Sequence, residues 1–309
     1  MRVSVIICTW NRAEALNRTL SAFPRLRIPH DTTWELLVVN NNSTDSTDQV
    51  IAEHTRYLPI RRIFEATPGK SHAANAAVRQ ASGDLLLWTD DDVLIDSGWL
   101  SEYVAAAHAW SQAAYFGGTV DPHFDGAVPA WIEKNIDVLY EPYALAQHGN
   151  STFQIESQHI VGANMALRSD IARRYPFNTQ LGPTGEKPLR GEDTELIGRI
   201  RTDGLEGVWV GGARIQHVIG NERLNPRYLW HWYTGLGAYT HERNRHATAV
   251  PLVMGAPRWA VRQYVGLRLK TSCLSFRKDA RWLRSLRDAA LMLGYIQASR
   301  RQIMAKGRD

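Results

Sequence analysis

One short stretch constrains this chain more than any other. Leu85-Leu86-Leu87-Trp88-Thr89 is a continuous apolar run, and it stops at three consecutive carboxylates, Asp90-Asp91-Asp92, before Val93. That pattern reads as a buried strand whose end emerges at the edge of a sheet. Three adjacent carboxylates repel one another, so a fold that presents them together needs a counter-charge. Hard divalent cations favour carboxylate oxygen, and a bound cation would attract a phosphate-bearing substrate. The competing reading is a solvated acidic turn.

The flanking sequence sets that strand in a repeating unit. Val3 to Cys8 is an apolar, β-branched run followed by the polar Thr9-Trp10-Asn11-Arg12 and then by Leu16, Leu20 and Phe23 at helical spacing. Asn11 and Glu14 have the spacing of a capping box. Leu36 to Val39, Asn40 to Asp45 and a helix around Ser46 to His54 repeat the pattern. Ile60 to Phe64, Pro68-Gly69-Lys70-Ser71 and an Ala-rich helix from His72 to Ala81 repeat it again. Continuous apolar strands alternating with helices predict an α/β fold, a Rossmann-like and mostly parallel sheet with helices on both faces and a ligand crevice beyond the strands' carboxyl ends. Gly69-Lys70-Ser71 is not a phosphate loop of the ATPase type, because the glycine required five residues earlier is Phe64.

Beyond Val93 the spacing predicts a helix over 99–110, a strand over 114–120, a loop-rich stretch over 121–150, a strand over 159–168 and a flexible loop over 182–188. A helix beginning near Glu192 and two short strands, Gly207 to Val210 and Ala213 to His217, follow. The glycine in Gly162-Ala163-Asn164-Met165-Ala166 marks a close approach of a ligand or backbone.

Composition narrows the class. With 309 residues, 44% of them apolar and 22% charged, the chain is long enough for one large domain or two smaller ones. Cys8 and Cys273 lie far apart, which argues against a disulfide framework and for a reducing compartment. The chain opens directly on a strand pattern and has no spanning apolar run, so a cytoplasmic protein, soluble or peripheral on the inner face of the membrane, is expected. The net charge of +5 is uneven: from Pro257 onward thirteen Lys/Arg face three Asp, a net of +10.

In their order and spacing, six motifs resemble family 2 glycosyltransferases of the GT-A fold: Val3 to Arg12, Val38 to Asp45, Thr89 to Asp92, Gly162 to Ala166, Gly191-Glu192-Asp193 and His217. The resemblance implies a GT-A domain over 1–220, divided into a nucleotide-sugar-binding half (1–118) and an acceptor-binding half (119–220), with a basic, aromatic-rich helical extension over 221–309. It further implies an inverting, metal-dependent transfer of sugar from a nucleotide-sugar donor, a UDP-sugar first among them, to a hydroxyl of a carbohydrate, glycolipid or small molecule in glycan, polysaccharide or glycolipid synthesis.

By the same resemblance Mn2+ or Mg2+ is held by Asp92 and His217, and Asp90 and Asp91 contact ribose, sugar or bound water. Thr9, Asn11, Asn40, Asn42, Lys70 and Asn75 meet the nucleotide, and Asp193 is the general base. Trp131, Asn164 and Glu192 face the acceptor. His217 can equally be a hydrogen-bonded histidine at a strand end, and Asp193 can simply cap its helix. Two positions depart from the family pattern. Asn40 replaces the Asp that usually accepts from uracil, which opens the choice of base. Ala74 replaces an Arg, leaving Lys70 to supply phosphate charge.

Of the remaining aromatics, Trp209 in an apolar strand belongs to a core, and Trp230-His231-Trp232-Tyr233 is expected to pack the C-terminal segment onto the catalytic domain. The tail after Pro257 interleaves Arg and Lys with Trp259, Leu269 and Phe276, as would suit either an anionic membrane surface or a helical hairpin packed on protein. A sugar nucleotidyltransferase is the rival enzyme, but Cys8-Thr9-Trp10-Asn11 is not its Gly-rich loop. A non-catalytic carbohydrate-binding relative has no chemical need for Asp92, His217 and Asp193 together. Nucleic-acid binding is not expected, since the positive charge is confined to the tail and no binding motif accompanies it.

Overall fold

A computed structural model describes residues 1–184, 190–243, 252–253 and 255–306. The described residues form two compact units, one built from Met1–His123, residues 143–184 and Glu192–Val218, the other from Phe124–Pro142, residues 190–191 and the described chain from Ile219 onward. The 182–188 loop expected from sequence lies partly outside the described residues.

The first unit begins with β1 (Arg2–Thr9), α1 (Ala13–Leu20), β2 (Thr33–Asn40), α2 (Thr47–His54), β3 (Ile60–Phe64), α3 (Lys70–Gln80) and β4 (Leu85–Thr89). β1 lies between β2 and β4, parallel to both, and β3 extends the parallel set beside β2. Val5, Ile6, Ile7, Leu36 to Val39 and Leu85 to Leu87 are fully buried, as expected of strands covered on both faces. Parallel pairing in register, Ile7 opposite both Val38 and Thr89, brings the polar loops after β1, β2 and β4 to one edge. That edge is where the site lies.

The capping box expected from Asn11 and Glu14 does not form. Asn11 takes a left-handed backbone (φ 51°) and its side-chain carbonyl accepts from the Thr44 N–H at 2.7 Å. The first N–H of α1, on Ala13, is met instead by Asp45 Oδ2 at 3.0 Å, so the cap comes from the neighbouring loop.

The sheet then changes sense. After β5 (Val93–Ile95), α4 (Trp99–Ala109), β6 (Tyr115–Phe124), the short α5 (Ala130–Glu133) and β7 (Thr152–Gln154) come β8 (Asn164–Arg168), α6 (Ser169–Arg174), α7 (Glu192–Thr202) and β9 (Gly207–Ile219). β8 inserts antiparallel between β4 and β6, and β5 returns antiparallel to β9. Among the described residues the sheet has nine strands, in the order β3-β2-β1-β4-β8-β6-β9-β5 with β7 beside β9. The strand expected over 159–168 starts only at Asn164. The two short strands expected over 207–217 are one, because Gly211 and Gly212 do not break it. A Cβ on Gly211 would collide with the backbone of Gly149 and Asn150, and one on Gly212 would sit 2.6 Å from Glu102 Oε2, so these glycines admit close neighbours while the strand runs on.

In the second unit the C-terminal helical extension comprises α8 (Pro226–Arg243) and, after a short hairpin of β10 (Leu252–Val253) with β11 (Ala256–Pro257), α9 (Arg258–Leu274) and α10 (Ala280–Lys306). α10 packs on α8 and α9. Gly237 and Gly294 let the backbones of α8 and α10 come together, since a Cβ on either would overlap the opposite main chain. Within this unit Tyr233 is buried, and Trp230 and Trp232 lie under the guanidinium groups of Arg268 and Arg190.

Asn164 joins the layers of the first unit. Its carbonyl accepts from Trp99 Nε1 (2.7 Å) and Tyr103 OH (2.8 Å) on α4, and its amide donates to the carbonyls of Thr119 on β6 (2.9 Å) and Ala213 on β9 (2.8 Å). Asn164→Ala would leave several buried polar groups without partners and is expected to lower stability by about 3 kcal/mol, read from the urea midpoint at unchanged slope.

Candidate active site

The acidic triplet sits between β4 and β5, and each carboxylate is held by groups from other elements. Lys70 Nζ, in the first turn of α3, donates to Asp90 Oδ1 at 2.6 Å. Thr9 Oγ1 at the end of β1 donates to Asp91 Oδ2 at 2.7 Å. Arg12 spans the other two, with Nη1 on Asp91 Oδ1 and Nη2 on Asp92 Oδ2, both at 2.7 Å. Asp91 and Asp92 are buried, and burial pushes the Asp91 carboxyl up to about 6, the Arg12 charge pulling down and Asp92 pushing further up. Burial works against the Lys70 ammonium, but Asp90 and Glu192 outweigh it and raise its pKa.

His217 reaches this cluster because β5 and β9 pair with Val93 opposite His217, and the Val218 N–H donates to the Asp92 carbonyl at 2.8 Å. His217 Nδ1 lies 2.6 Å from the Tyr143 carbonyl, which can only accept, so Nδ1 carries a proton. Nε2 then faces Asp92 Oδ2 at 3.3 Å. Either an imidazolium proton or a shared cation reconciles those two atoms. A backbone carbonyl fixing the far ring nitrogen is the usual support of a metal-binding histidine. The pair therefore fits a divalent cation. Among the described residues no third His, Cys, Asp or Glu joins them, so the other ligands would come from substrate oxygens and water.

Asp193, in the first turn of α7, is half-buried. Its Oδ2 accepts from the Gly162 N–H at 2.8 Å and its Oδ1 from the Thr194 N–H at 2.7 Å. Thus the close approach marked by Gly162 is that of Asp193: a Cβ there would lie 3.2 Å from Oδ2. Glu192 beside it is buried, and both acids, with Asp90, act on the Lys70 charge, so base candidate and triplet share one electrostatic neighbourhood.

The remaining expected contacts divide. Asn11 and Asn42 are exposed on the edge loops, both with left-handed backbone. Asn40 is buried, its amide donating to Asp48 Oδ1 (2.7 Å) and its carbonyl accepting from the Ser43 N–H (2.8 Å). Asn75 pins Phe177 through both of its side-chain atoms. Asn164 does not face an acceptor: it is fully buried with all four bonds described above, which corrects that expectation. Trp131 belongs to the second unit, where Trp282 meets it edge-on.

Sequence reasoning missed Arg12, Asn41 and Thr19. Asn41 ties the β2 loop to the segment before α3 by donating to the Glu65 and Thr67 carbonyls and accepting from the Gly69 N–H. Thr19 Oγ1 donates to the Asp91 and Val93 carbonyls. For Arg12 a signal existed, since a lone cation followed the strand parallel to the one that ends in three Asp.

Residues 4–175 match the glycosyl transferase family 2 description. The chain belongs to glycosyltransferase family 2. This glycosyltransferase is 24% identical over 239 residues to the succinoglycan biosynthesis protein ExoM of Rhizobium meliloti, covering 74% of the chain and 71% of that protein. It is 33% identical over 206 residues to the probable glycosyltransferase YdaM of Bacillus subtilis, covering 64% of the chain but 46% of that protein. Among solved structures, the mannosyltransferase PcManGT from Pyrobaculum calidifontis, in complex with GDP-Man and Mn2+, aligns over 99% of the chain and 79% of its own, with a TM-score of 0.57 and 17% identity. S. aureus TarS 1-349 in complex with UDP aligns over 99% and 92%, with a TM-score of 0.53 and 16% identity. Both likenesses support the GT-A fold.

At the candidate site of this glycosyltransferase, burial and the Asp193 charge push the Glu192 carboxyl up to about 7, with Lys70 opposing. The folded chain then holds that proton more tightly than the unfolded chain, whose glutamate titrates near 4.5. The contribution to stability is complete below the unfolded value and is lost as pH rises through about 7. Glu192→Gln is expected to flatten the fall in melting temperature between about pH 5 and about pH 8, measured by thermal denaturation across that window.

Proposed function

We propose that this glycosyltransferase moves a sugar from a nucleotide-sugar donor to a hydroxyl acceptor with inversion, and that Asp193 is the general base. The observation that carries the reading is the placement of Asp193: a half-buried carboxylate aimed by two backbone N–H groups in the first turn of α7, near enough to the acidic triplet to act, with Asp90, on the Lys70 charge. An acceptor hydroxyl beside Asp193 would give up its proton as its oxygen attacks the anomeric carbon, and the sugar–phosphate bond would break on the opposite side. One displacement with one base inverts the configuration.

Asp92 and His217 would hold Mn2+ or Mg2+, which supplies neutralisation of the charge growing on the leaving diphosphate. Thr9 keeps Asp91 oriented. Asp90 and Asp91 are left to meet ribose, sugar or bound water, and Lys70 and Arg12 are the protein cations on hand for phosphate. Asn11 and Asn42 stand exposed where a base would enter. Since Asn40 is committed to Asp48 and Ser43, uridine and guanosine donors both deserve testing, and the solved relatives hold GDP-Man in one case and UDP in another. Relatives described as a succinoglycan biosynthesis protein and a poly-beta-1,6-N-acetyl-D-glucosamine synthase support a growing polysaccharide as acceptor. Asp193→Asn is expected to lower turnover by about 10²- to 10⁴-fold while Mn2+-dependent thermal stabilisation by UDP- or GDP-sugars persists. Turnover at the wild-type rate would remove Asp193 from the mechanism.

The reading extends to the surface at which the enzyme works. Among the described residues no helix is long and apolar enough to cross a membrane. On α9, however, Arg258, Arg262, Val265 and Leu269 share an exposed face at helical spacing, with Trp259 beside it and Phe276 exposed just after the helix. Interleaved cations and large apolar side chains suit an anionic bilayer surface. The protein is expected to float with vesicles containing phosphatidylglycerol and not with phosphatidylcholine alone. The double variant Leu269→Glu/Phe276→Glu should stay at the bottom of the gradient while melting normally, and wild-type protein that fails to float at low salt would remove the membrane from the reading.

A further inference from the structure

Arg12 is placed where a single guanidinium controls two neighbouring carboxylates, and one of its contacts falls on the oxygen that matters most. Asp92 Oδ2 receives Arg12 Nη2 at 2.7 Å and faces His217 Nε2 at 3.3 Å. The arginine and any cation shared by Asp92 and His217 therefore compete for one oxygen atom. Lys70, bonded to Asp90, is not in that competition. Arg12 is also more accessible than the two carboxylates it holds: it is the N-cap of α1, outside the helical backbone, and its side chain is 39% exposed while those of Asp91 and Asp92 are almost wholly covered. Its fork gives specificity for paired oxygens, whether from two carboxylates or from a diphosphate.

We propose that Arg12 is an exchangeable counter-ion that couples metal binding to donor binding. Before the donor arrives it neutralises Asp91 and Asp92. A divalent cation on Asp92 would bring a second positive charge against the guanidinium at Oδ2, and that repulsion is relieved when another anion can receive Arg12. The diphosphate of the donor is that anion. Metal alone would thus bind weakly, metal and nucleoside diphosphate would strengthen one another, and by linkage each would change the other's affinity by the same factor. This rests on the proposed metal role of Asp92 and His217, and it assigns Arg12 a positioning role.

Mn2+ binding, followed by the electron paramagnetic resonance signal of the free ion, tests the idea without any turnover. In wild-type protein, UDP or GDP should tighten Mn2+ binding by a factor within the range of about 5- to 150-fold usual for coupled sites. In Arg12→Gln, Mn2+ alone should bind several-fold more tightly than to wild type, and the further gain from UDP or GDP should shrink. Arg12→Lys, which keeps the charge but cannot span both carboxylates, should fall between the two, and it carries the test should Arg12→Gln fail to fold. Equal or weaker binding of Mn2+ alone to the variants overturns the role of Arg12 and leaves the metal site standing. Absence of Mn2+ binding to every protein, with UDP and GDP present, overturns the metal site and this coupling together.

Discussion

Three like charges on successive residues at the edge of a sheet are the constraint around which the first unit is arranged. Their repulsion is offset by Lys70 from the start of α3, by Arg12 between β1 and α1, and by the Thr9 hydroxyl, so Asp90 is tied to α3 while Asp91 and Asp92 are tied to the end of β1 and the turn after it. Charge and packing act on the same atoms. Burial raises the cost of ionising Asp91, and the Arg12 charge and Thr9 hydroxyl that lower it are positioned only if β1 and β4 lie side by side in register.

A second set of polar contacts keeps the edge loops rigid without any regular structure. Asn11 accepts from the β2 loop, Asp45 returns a cap to α1, and Asn41 links the β2 loop to the segment before α3. Because these side chains satisfy backbone groups that no ladder or helix reaches, the loops can be precise while staying irregular. Asn40 and Asn75 belong to the same scaffold. Residue types usually associated with ligand contact are here largely concerned with holding the contact surface still.

The other residues of the candidate site come from the antiparallel half. β8 is preceded by Gly162, whose missing side chain lets Asp193 approach, and β9 delivers His217 beside Asp92 through its pairing with β5. An antiparallel continuation of a parallel sheet places residues far apart in sequence at one edge. Asp92 and His217 are 125 residues apart and meet within 3.3 Å. Such a meeting depends on strand order, which no local pattern encodes.

Much of this was legible in the residues themselves. Apolar runs of the right length defined β1, β2 and β4, and the triplet stands at the end of one of them, as its position in the sequence implied. Motif order named His217 as a partner of Asp92, and the two lie 3.3 Å apart. What the chain order concealed was partnership. Asn11 and Glu14 looked like a capping pair, Asn164 like a ligand contact, and Gly211-Gly212 like a strand break. Each reading failed because the deciding partner, the loop at 44–45, α4 with β6 and β9, or the backbone at 149–150, lies remote in sequence. Local periodicity follows from backbone geometry and hydrophobic burial, which act over a few residues. The pairing of charges and the engagement of a buried amide depend on which strands become neighbours, and only the assembled sheet decided that.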